Sequence, residues 1–272
     1  MEWLILIAIG FIAATIGSMV GLGGGIIIVP ALLFISANNL LTINLQPQNA
    51  VGISLMVIII NAVSATVYNL KQKTVDMQSG MFFFIASGLA AIIGSLVNEY
   101  LNIQQFYILF GLLMLSITFL LAYRNKIKLK GVKSDVQREY TDQQGNVYNY
   151  GYNKKIGFII AGLAGLLGGL FGIGGGAILV PVMVVLFSFP PHVATATSMF
   201  IILLSASLGS ISHIVLGNII FSYVLIIGIG AFIGGRLGSY FAGKLSSNSL
   251  VAALRVVIVI IAIQMIYKGL AA

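Results

Sequence analysis

The stretch that decides the fold is Gly21-Leu22-Gly23-Gly24-Gly25-Ile26-Ile27-Ile28-Val29-Pro30, because the chain repeats it. The second copy is Gly172-Ile173-Gly174-Gly175-Gly176-Ala177-Ile178-Leu179-Val180-Pro181. Both runs interrupt apolar sequence, and a break in a membrane helix leaves backbone N–H and C=O groups without hydrogen-bond partners. Such a break has to be buried in protein or line a wet cavity, so two matched breaks predict a binding site between two halves of the chain.

The composition places the chain among all-α polytopic membrane proteins. Of its 272 residues, 59% are hydrophobic and 7% are charged, whereas soluble domains have about 25% charged residues. The chain has no cysteine and two histidines, which excludes disulfides, thiol catalysis and cysteine-based or histidine-rich metal centres. We expect no cofactor and no metal. The net charge of +8 does not indicate nucleic acid, because most basic residues lie in one segment.

The apolar pattern predicts eight to ten membrane segments in two homologous repeats. The first set covers about 3–20, 26–35, 49–70, 79–97 and 104–123, and the second covers about 156–171, 177–187, 193–216, 222–242 and 250–267. Position by position, Pro181 matches Pro30 and Ser198 matches Ser54. We therefore divide the chain into a first repeat, 1–123, a linker, 124–155, and a second repeat, 156–272.

The linker is the one extended hydrophilic segment of the sequence. It is rich in lysine and arginine, which by the positive-inside rule indicates the cytoplasmic face of the cell membrane. Alternating polar and β-prone residues around Gly145-Asn146 predict a small hairpin there. We interpret the segment as a connection between the repeats and not as a binding element.

The relative orientation of the repeats can be parallel or inverted. Inverted repeats place Arg236 and Lys244 on the same face as the linker, which the positive-inside rule favours. They also place both termini outside, where Lys268 fits less well. We expect inverted repeats, each with a Gly-rich broken helix, and the parallel arrangement stays open.

The glycine runs are candidate anion sites. A helix that begins after a break presents unpaired N–H groups and a positive dipole end, and glycine lets a ligand approach the backbone closely. The candidate substrate-lining residues are Gly23, Gly24, Gly25, Gly174, Gly175 and Gly176. The alternative is that these glycines only allow helices to pack closely.

Polar residues inside the predicted helices are further candidates. Ser54 and Asn61 are seven positions apart, as are Ser198 and Ser205, so each pair shares a helix face. Hydroxyl and amide donors suit a small oxyanion, although such residues also serve as interhelical hydrogen bonds.

Three ionisable residues lie within the apolar segments and away from the linker. Arg236 and Arg255 could supply positive charge to an anion, or their side chains could extend to the membrane interface. His213 could relay a proton or be a hydrogen-bonded core residue. No Asp or Glu lies deep in a predicted helix, which disfavours an acid-based proton relay or Na⁺ site.

Two copies of Gly-x-Gly-Gly-Gly-x-x-x-Val-Pro, the basic linker and the glycines at 88, 94, 228 and 234 resemble the sulfite exporter TauE/SafE family, also called the 4-toluene sulfonate uptake permease family. The resemblance implies a secondary transporter of small sulfur-containing anions such as sulfite, sulfoacetate or related organosulfonates. It fixes neither the substrate nor the direction of transport. The residues themselves would also suit a carboxylate or another oxyanion.

Alternating access through movement of the two halves is the mechanism that we expect. The alternatives are an anion channel with the breaks as a filter, an intramembrane enzyme, which would have few catalytic groups, and a non-transporting scaffold. The expected partners are a small anion and the lipid bilayer, with homo-oligomerisation left open.

Overall fold

The computed structural model describes residues 2–123, 134–142, 145–242 and 247–271. Before the linker, the helices are α1 (Glu2–Val20), α2 (Gly25–Ala37), α3 (Pro47–Lys71), α4 (Met77–Asn98) and α5 (Ile103–Tyr123). The strands β1 (Val136–Thr141) and β2 (Val147–Tyr152) follow. The helices α6 (Lys154–Phe171), α7 (Gly176–Val185), α8 (Pro191–Val215), α9 (Phe221–Ala242) and α10 (Ser247–Ala271) complete the described chain.

The helices confirm an all-α polytopic membrane protein. Within the described ranges, seven helices are long and apolar enough to cross a membrane, and α2, α7 and the 258–271 part of α10 are shorter apolar helices. Helix bounds differ from the predicted ones by a few residues. The largest difference is at α10, which covers Ser247–Ala271 and not 250–267. Helix α3 begins at Pro47 and not at Asn49, because proline is well suited to the first helical turn.

One face of the molecule, the terminal face, holds the start of α1 and the end of α10. The carboxylate of Glu2 accepts hydrogen bonds from the Thr42 hydroxyl, at 2.8 Å, and from the Tyr223 hydroxyl, at 2.7 Å. The loop after α2 and the start of α9 therefore lie beside the start of α1. The Lys268 ammonium lies 5.3 Å from the centre of the Phe34 ring, which places the end of α10 beside α2.

The opposite face, the linker face, holds the β-hairpin and the turn between α3 and α4. The Tyr150 hydroxyl donates to the Asp76 carboxylate at 3.0 Å, and the Gly151 amide donates to the Phe187 carbonyl at 3.0 Å. Asp76 also caps α4 by accepting from the Ser79 amide. Burial and the Asp76 carboxylate raise the pKa of Tyr150, so its hydroxyl stays a donor at neutral pH.

The two broken helices enter from opposite faces. The outer ends of α1 and α2 lie at the terminal face, whereas α6 begins and α7 ends at the linker face. These directions favour the inverted arrangement over the parallel one, and the repeat relationship stays a prediction. Arg236 lies on α9, near its linker-face end, whereas Lys244 and the segment 124–133 lie outside the described residues.

The most extensive helix contacts join elements from the two halves of the sequence: α1 with α9, α4 with α6, and α5 with α10. Glycine makes these contacts close. A Cβ on Gly230, Gly234 or Gly238 would overlap the backbone of α1, and one on Gly165 or Gly169 would overlap the backbone of α4. Small residues at helix interfaces are the usual means of close packing in membranes.

The hairpin forms where the sequence predicts it. The two strands pair antiparallel, with Tyr140 opposite Tyr148. The Asp142 carboxylate accepts from the backbone and side-chain amides of Asn146, which stabilises the turn. Tyr152 then packs against Phe83 of α4 and Phe187 after α7, so aromatic contacts anchor the hairpin to both halves.

Two glycines of α6 test the close packing of α4 and α6. A Cβ on Gly165 would overlap the Ser87 backbone, whereas a Cβ on Gly162 would meet nothing within 4 Å. We expect Gly165→Ala to destabilise the protein by about 1–3 kcal/mol through overpacking. Gly162→Ala should be neutral or slightly stabilising, because alanine is the better helix former. Thermal unfolding in detergent measures both, and equal midpoints for the two variants would contradict this packing.

Candidate functional site

The two helix breaks have the same backbone conformation. Positive φ angles occur at Gly21 (78°), Gly23 (78°) and Gly24 (90°), and again at Gly172 (69°), Gly174 (71°) and Gly175 (71°). Residues other than glycine rarely adopt this region. The amide of Leu22 bonds to the Gly17 carbonyl at 2.7 Å, and that of Ile173 bonds to the Gly168 carbonyl at 3.2 Å. The two copies of the motif therefore form the same backbone turn.

The two breaks are in contact with each other. The Ser54 hydroxyl donates to the Gly172 carbonyl at 2.7 Å, and the Ser198 hydroxyl donates to the Gly21 carbonyl at 2.8 Å. A Cβ on Gly25 would overlap that same Gly172 carbonyl. Each break is thus completed by a serine from the other half of the sequence.

Isoleucine side chains fill the space between the breaks. A Cβ on Gly23 would lie 3.3 Å from Ile58 and 3.4 Å from Ile202, and a Cβ on Gly174 would lie 2.9 Å from Ile202 and 3.4 Å from Ile58. Because these isoleucines lie near the middle of α3 and α8, the breaks meet at mid-depth. All the candidate glycines are buried, so this conformation is closed between the breaks.

The chemistry of the breaks suits an anion. Neither α2 nor α7 has a side-chain cap, and the N-cap residues are Gly24 and Gly175. The first-turn N–H groups of both helices therefore lack a side-chain acceptor, and both positive dipole ends lie at mid-depth. Backbone N–H groups at a helix start are a general binding site for anions.

Close packing also explains several of these glycines. A Cβ on Gly24 would lie 2.7 Å from the Ala13 carbonyl oxygen, and one on Gly175 would lie 2.8 Å from that of Ala164. A Cβ on Gly176 would overlap the Gly21 carbonyl. The sequence presents packing and substrate lining as alternatives, and the structure shows the packing. The substrate-lining role itself stays a prediction.

Asn61 links the first break to α1. Its side-chain amide donates to the Gly23 carbonyl at 2.9 Å, and its side-chain oxygen accepts from the Ser18 hydroxyl at 2.7 Å. Ser18 is not among the residues predicted from the sequence, although a small polar residue three positions before a glycine run is a usable signal. Ser205, the partner of Asn61 in sequence, is buried but forms no corresponding bond to the second run among the described residues.

A cavity of about 470 Å³ opens at the linker face and leads towards the first break. Its volume is within the usual range for small-molecule sites, roughly 300–1,000 Å³. We call it the vestibule, and its walls are Ser18, Tyr68, Asn69, Gln72, Thr74, Tyr140, Asp142, Tyr148, Pro191, His192, Thr195, Ala196, Ser239, Tyr240 and Ala242. It reaches the first break, because Thr195 lines it and a Cβ on Gly21 would lie 2.9 Å from the Cα of Thr195.

The β-hairpin forms one wall of the vestibule, which its interpretation as a plain connection did not anticipate. The rings of Tyr140 and Tyr148 pack against His192 at the start of α8, with centres 5.2 and 5.9 Å away. Burial is the main cause that raises the pKa of Tyr140, so its hydroxyl is neutral at physiological pH.

The two arginines do not join the glycine runs. Arg236 is exposed on α9, and Arg255 is half-buried on α10 with its Nε unpaired. Neither lines the vestibule, and no hydrogen bond joins either one to a break within the described ranges. Their predicted role in substrate binding gains no support from the arrangement, since the sequence could not show which side of a helix faces the site.

Comparison with known proteins places the chain in a family. The family model described as sulfite exporter TauE/SafE matches residues 6–265. The probable membrane transporter protein YunE of Bacillus subtilis is 43% identical over 271 residues, which cover 99% of each chain. A probable membrane transporter protein of Methanocaldococcus jannaschii is 27% identical, over 90% of this chain and 88% of its own.

Similarity extends to plants. The sulfite exporter TauE/SafE family protein 6 of Arabidopsis thaliana is 30% identical over 118 residues, which cover 43% of this chain and 27% of the plant protein. No solved structure matches the chain. The relatives are named as membrane transporters and not as enzymes, which agrees with the transporter interpretation. With the family model matched over almost its whole length, the chain belongs to the sulfite exporter TauE/SafE family of membrane transporters.

Proposed function

We propose that the protein is a secondary transporter of small sulfur-containing anions, such as sulfite, sulfoacetate or related organosulfonates, and that it works by alternating access. The observation that carries the proposal is the meeting, at mid-depth, of two breaks that end in uncapped helix starts, with a carbonyl of each break bonded to a serine of the other half. The description of the family as sulfite exporters supports the choice of substrate class.

The substrate would bind where the two breaks now touch. An oxyanion can accept several hydrogen bonds, and first-turn N–H groups together with the Ser54 and Ser198 hydroxyls would offer them. In the closed arrangement these hydroxyls donate to the Gly172 and Gly21 carbonyls instead. Binding would therefore exchange serine–carbonyl bonds for serine–anion bonds as the breaks separate.

The two faces of the site differ, as alternating access requires. Thr195, which lines the vestibule beside Gly21, corresponds in the first half to Val51, which lies beside Gly172. Val51 is fully buried, so the path from the terminal face is closed while the path from the linker face is open. The moving bodies would be helix pairs drawn from both halves, such as α1 with α9, since these make the most extensive contacts.

Charge favours placing the linker face in the cytoplasm. Lys71, Lys73, Lys154 and Lys155 are exposed at this face, and Lys268 is at the other. An excess of lysine and arginine marks cytoplasmic loops. We therefore propose a multi-pass protein of the cytoplasmic membrane with the β-hairpin inside the cell.

A panel of anions tests the substrate class. We expect sulfite or an organosulfonate such as sulfoacetate to raise the thermal unfolding midpoint more than acetate or phosphate does. A ligand at 100 times its dissociation constant stabilises the native state by about 2.7 kcal/mol. Equal stabilisation by all anions would instead support a carrier for oxyanions in general, and stabilisation by acetate alone would support a carboxylate carrier.

Ser198→Ala should weaken this stabilisation, because it removes one hydroxyl from the proposed site. Ser207→Ala is the matched control, since the Ser207 hydroxyl bonds to the Leu203 carbonyl of its own helix and lies away from the breaks. If both variants keep the full response to the anion, Ser198 does not contact the substrate.

Single cysteines test alternating access, and the natural chain has none to interfere. We expect Thr195→Cys to react with a membrane-impermeant maleimide from the linker face, and Val51→Cys to be protected until the protein opens to the terminal face. Adding transported anion should slow the first reaction and speed the second. Simultaneous reaction of both positions from both faces would indicate a channel.

A further inference from the structure

The terminal face contains a polar cluster at positions that correspond to walls of the vestibule. His213, Asn218 and Glu99 correspond to Asn69, Thr74 and Ser239, respectively. The backbone is alike at both places: the Asn218 amide bonds to the His213 carbonyl at 2.9 Å, and the Thr74 amide bonds to the Asn69 carbonyl at 3.2 Å. Just before these amides, Gly217 and Lys73 have φ angles of 75° and 57°.

The side chains at the two faces differ, although the backbone conformations are alike. At the linker face, Asn69, Thr74 and Ser239 surround an open cavity, and the Ser239 hydroxyl has no hydrogen-bond partner. At the terminal face, the Asn218 side-chain nitrogen is 2.8 Å from the Glu99 carboxylate and 3.3 Å from Nδ1 of His213. The terminal face is thus closed by hydrogen bonds at the place where the linker face is open.

Further bonds extend this closure to α3. The Asn49 side-chain amide donates to the Asn218 carbonyl at 3.2 Å, and the Gln48 side-chain amide donates to the Asn98 and Leu101 carbonyls at 3.2 and 2.9 Å. The start of α3 is therefore tied both to the turn before α9 and to the turn after α4. Breaking the contact of Asn218 with His213 would remove the link between this network and the end of α8.

We propose that His213 is a proton-binding site that controls the terminal face: the neutral ring keeps this face closed, and the protonated ring keeps it open. The inference rests on the alternating access proposed above. It adds a titratable group to a transport path in which the described helices have no buried carboxylate.

The hydrogen-bond geometry gives the direction of the effect. The Asn218 nitrogen is a donor, so the Nδ1 atom facing it has to accept and carry no proton. A second proton on the ring would place two donors opposite each other. Rotating the Asn218 amide would present its oxygen to the ring but would withdraw the N–H that bonds to Glu99. In either case, protonation removes one bond of the closed face.

Burial adds to this effect. The His213 side chain has 0% exposure, and the acceptor beside its ring is the backbone carbonyl of Gly169, not a carboxylate. A buried charge without water or a partner is costly, so the closed state favours the neutral ring. Opening lets water reach the ring, and an imidazole in water is half protonated at about pH 6.5.

The groups around the ring are mostly uncharged. They are Gly52 on α3, which lies beside the His213 Cβ, Gly169 on α6 and Asn218 in the turn before α9. In the described structure, Glu99 is the charged group that faces this cluster, and its side chain is exposed. The proton would enter and leave at this face, so it sets how often the face is open and does not itself cross the membrane.

The experiment follows the opening of the terminal face through Val51→Cys. The rate of its labelling by maleimide from the terminal face is measured between pH 5.5 and 8. This rate is divided by the labelling rate of Tyr100→Cys at the same pH. Tyr100 is 87% exposed, so a cysteine there reports the reactivity of an accessible thiol. We expect the ratio to increase as the pH falls, by up to tenfold per pH unit below about pH 6.5. In His213→Asn the ratio should be independent of pH.

Asparagine is the matched replacement, because Asn69 occupies the corresponding position and ends its helix with the same backbone bonds. An unfolding midpoint close to that of the parent protein verifies that the variant is folded. Glu99→Gln keeps an acceptor for Asn218 but removes the negative charge, so the pH dependence should shift to lower pH. An unchanged pH dependence in His213→Asn would overturn the inference.

The result also separates this inference from the function on which it depends. If Val51→Cys reacts in the presence of transported anion but without any dependence on His213, alternating access stands and the proton site falls. If Val51→Cys is never labelled from the terminal face under any condition, alternating access falls, and this inference falls with it.

Discussion

The structure depends on one constraint: backbone N–H and C=O groups inside a membrane need partners. Two glycine-rich breaks expose such groups at mid-depth, and the molecule satisfies the carbonyls of Gly21 and Gly172 with serines from the opposite half. The amides at the starts of α2 and α7 receive no side-chain cap. This difference between satisfied acceptors and available donors is what makes the centre of the protein suitable for an anion.

The same constraint explains why the two faces can differ. The closed arrangement between the breaks is held by a few hydrogen bonds and by Ile58 and Ile202, which contact both glycine runs. Towards the linker face the walls separate into a vestibule, and towards the terminal face the cluster of His213, Asn218 and Glu99 closes the path. The proposed carrier would need two such arrangements of similar free energy, and short polar networks that can be exchanged for water or substrate would provide them.

Much of the fold could be predicted from the sequence, because long apolar runs, the repeated glycine motif and Gly145-Asn146 act locally. The contact between the breaks could not, since Ser54 and Gly172 are far apart in sequence and nothing local connects them. For the same reason the sequence missed Ser18 and the hairpin wall of the vestibule, and it could not show that Arg236 is exposed away from the breaks. The residue types indicated that the site suits an anion. Which side chains share that site depends on how each helix is rotated about its axis, and the sequence alone does not give this rotation.

The pairing of α1 with α9 and of α4 with α6 has a consequence for how the chain is assembled. The glycine-lined surface that packs against α1 is on α9, which is synthesised near the end of the chain. Helix α1 therefore enters the membrane long before its main partner exists. Until then, lipid or the insertion machinery has to cover the face of α1 that later contacts α9. Neither half of the chain contains a complete set of helix contacts, so a ribosome that stalls after α5 would leave a product that cannot reach the native state.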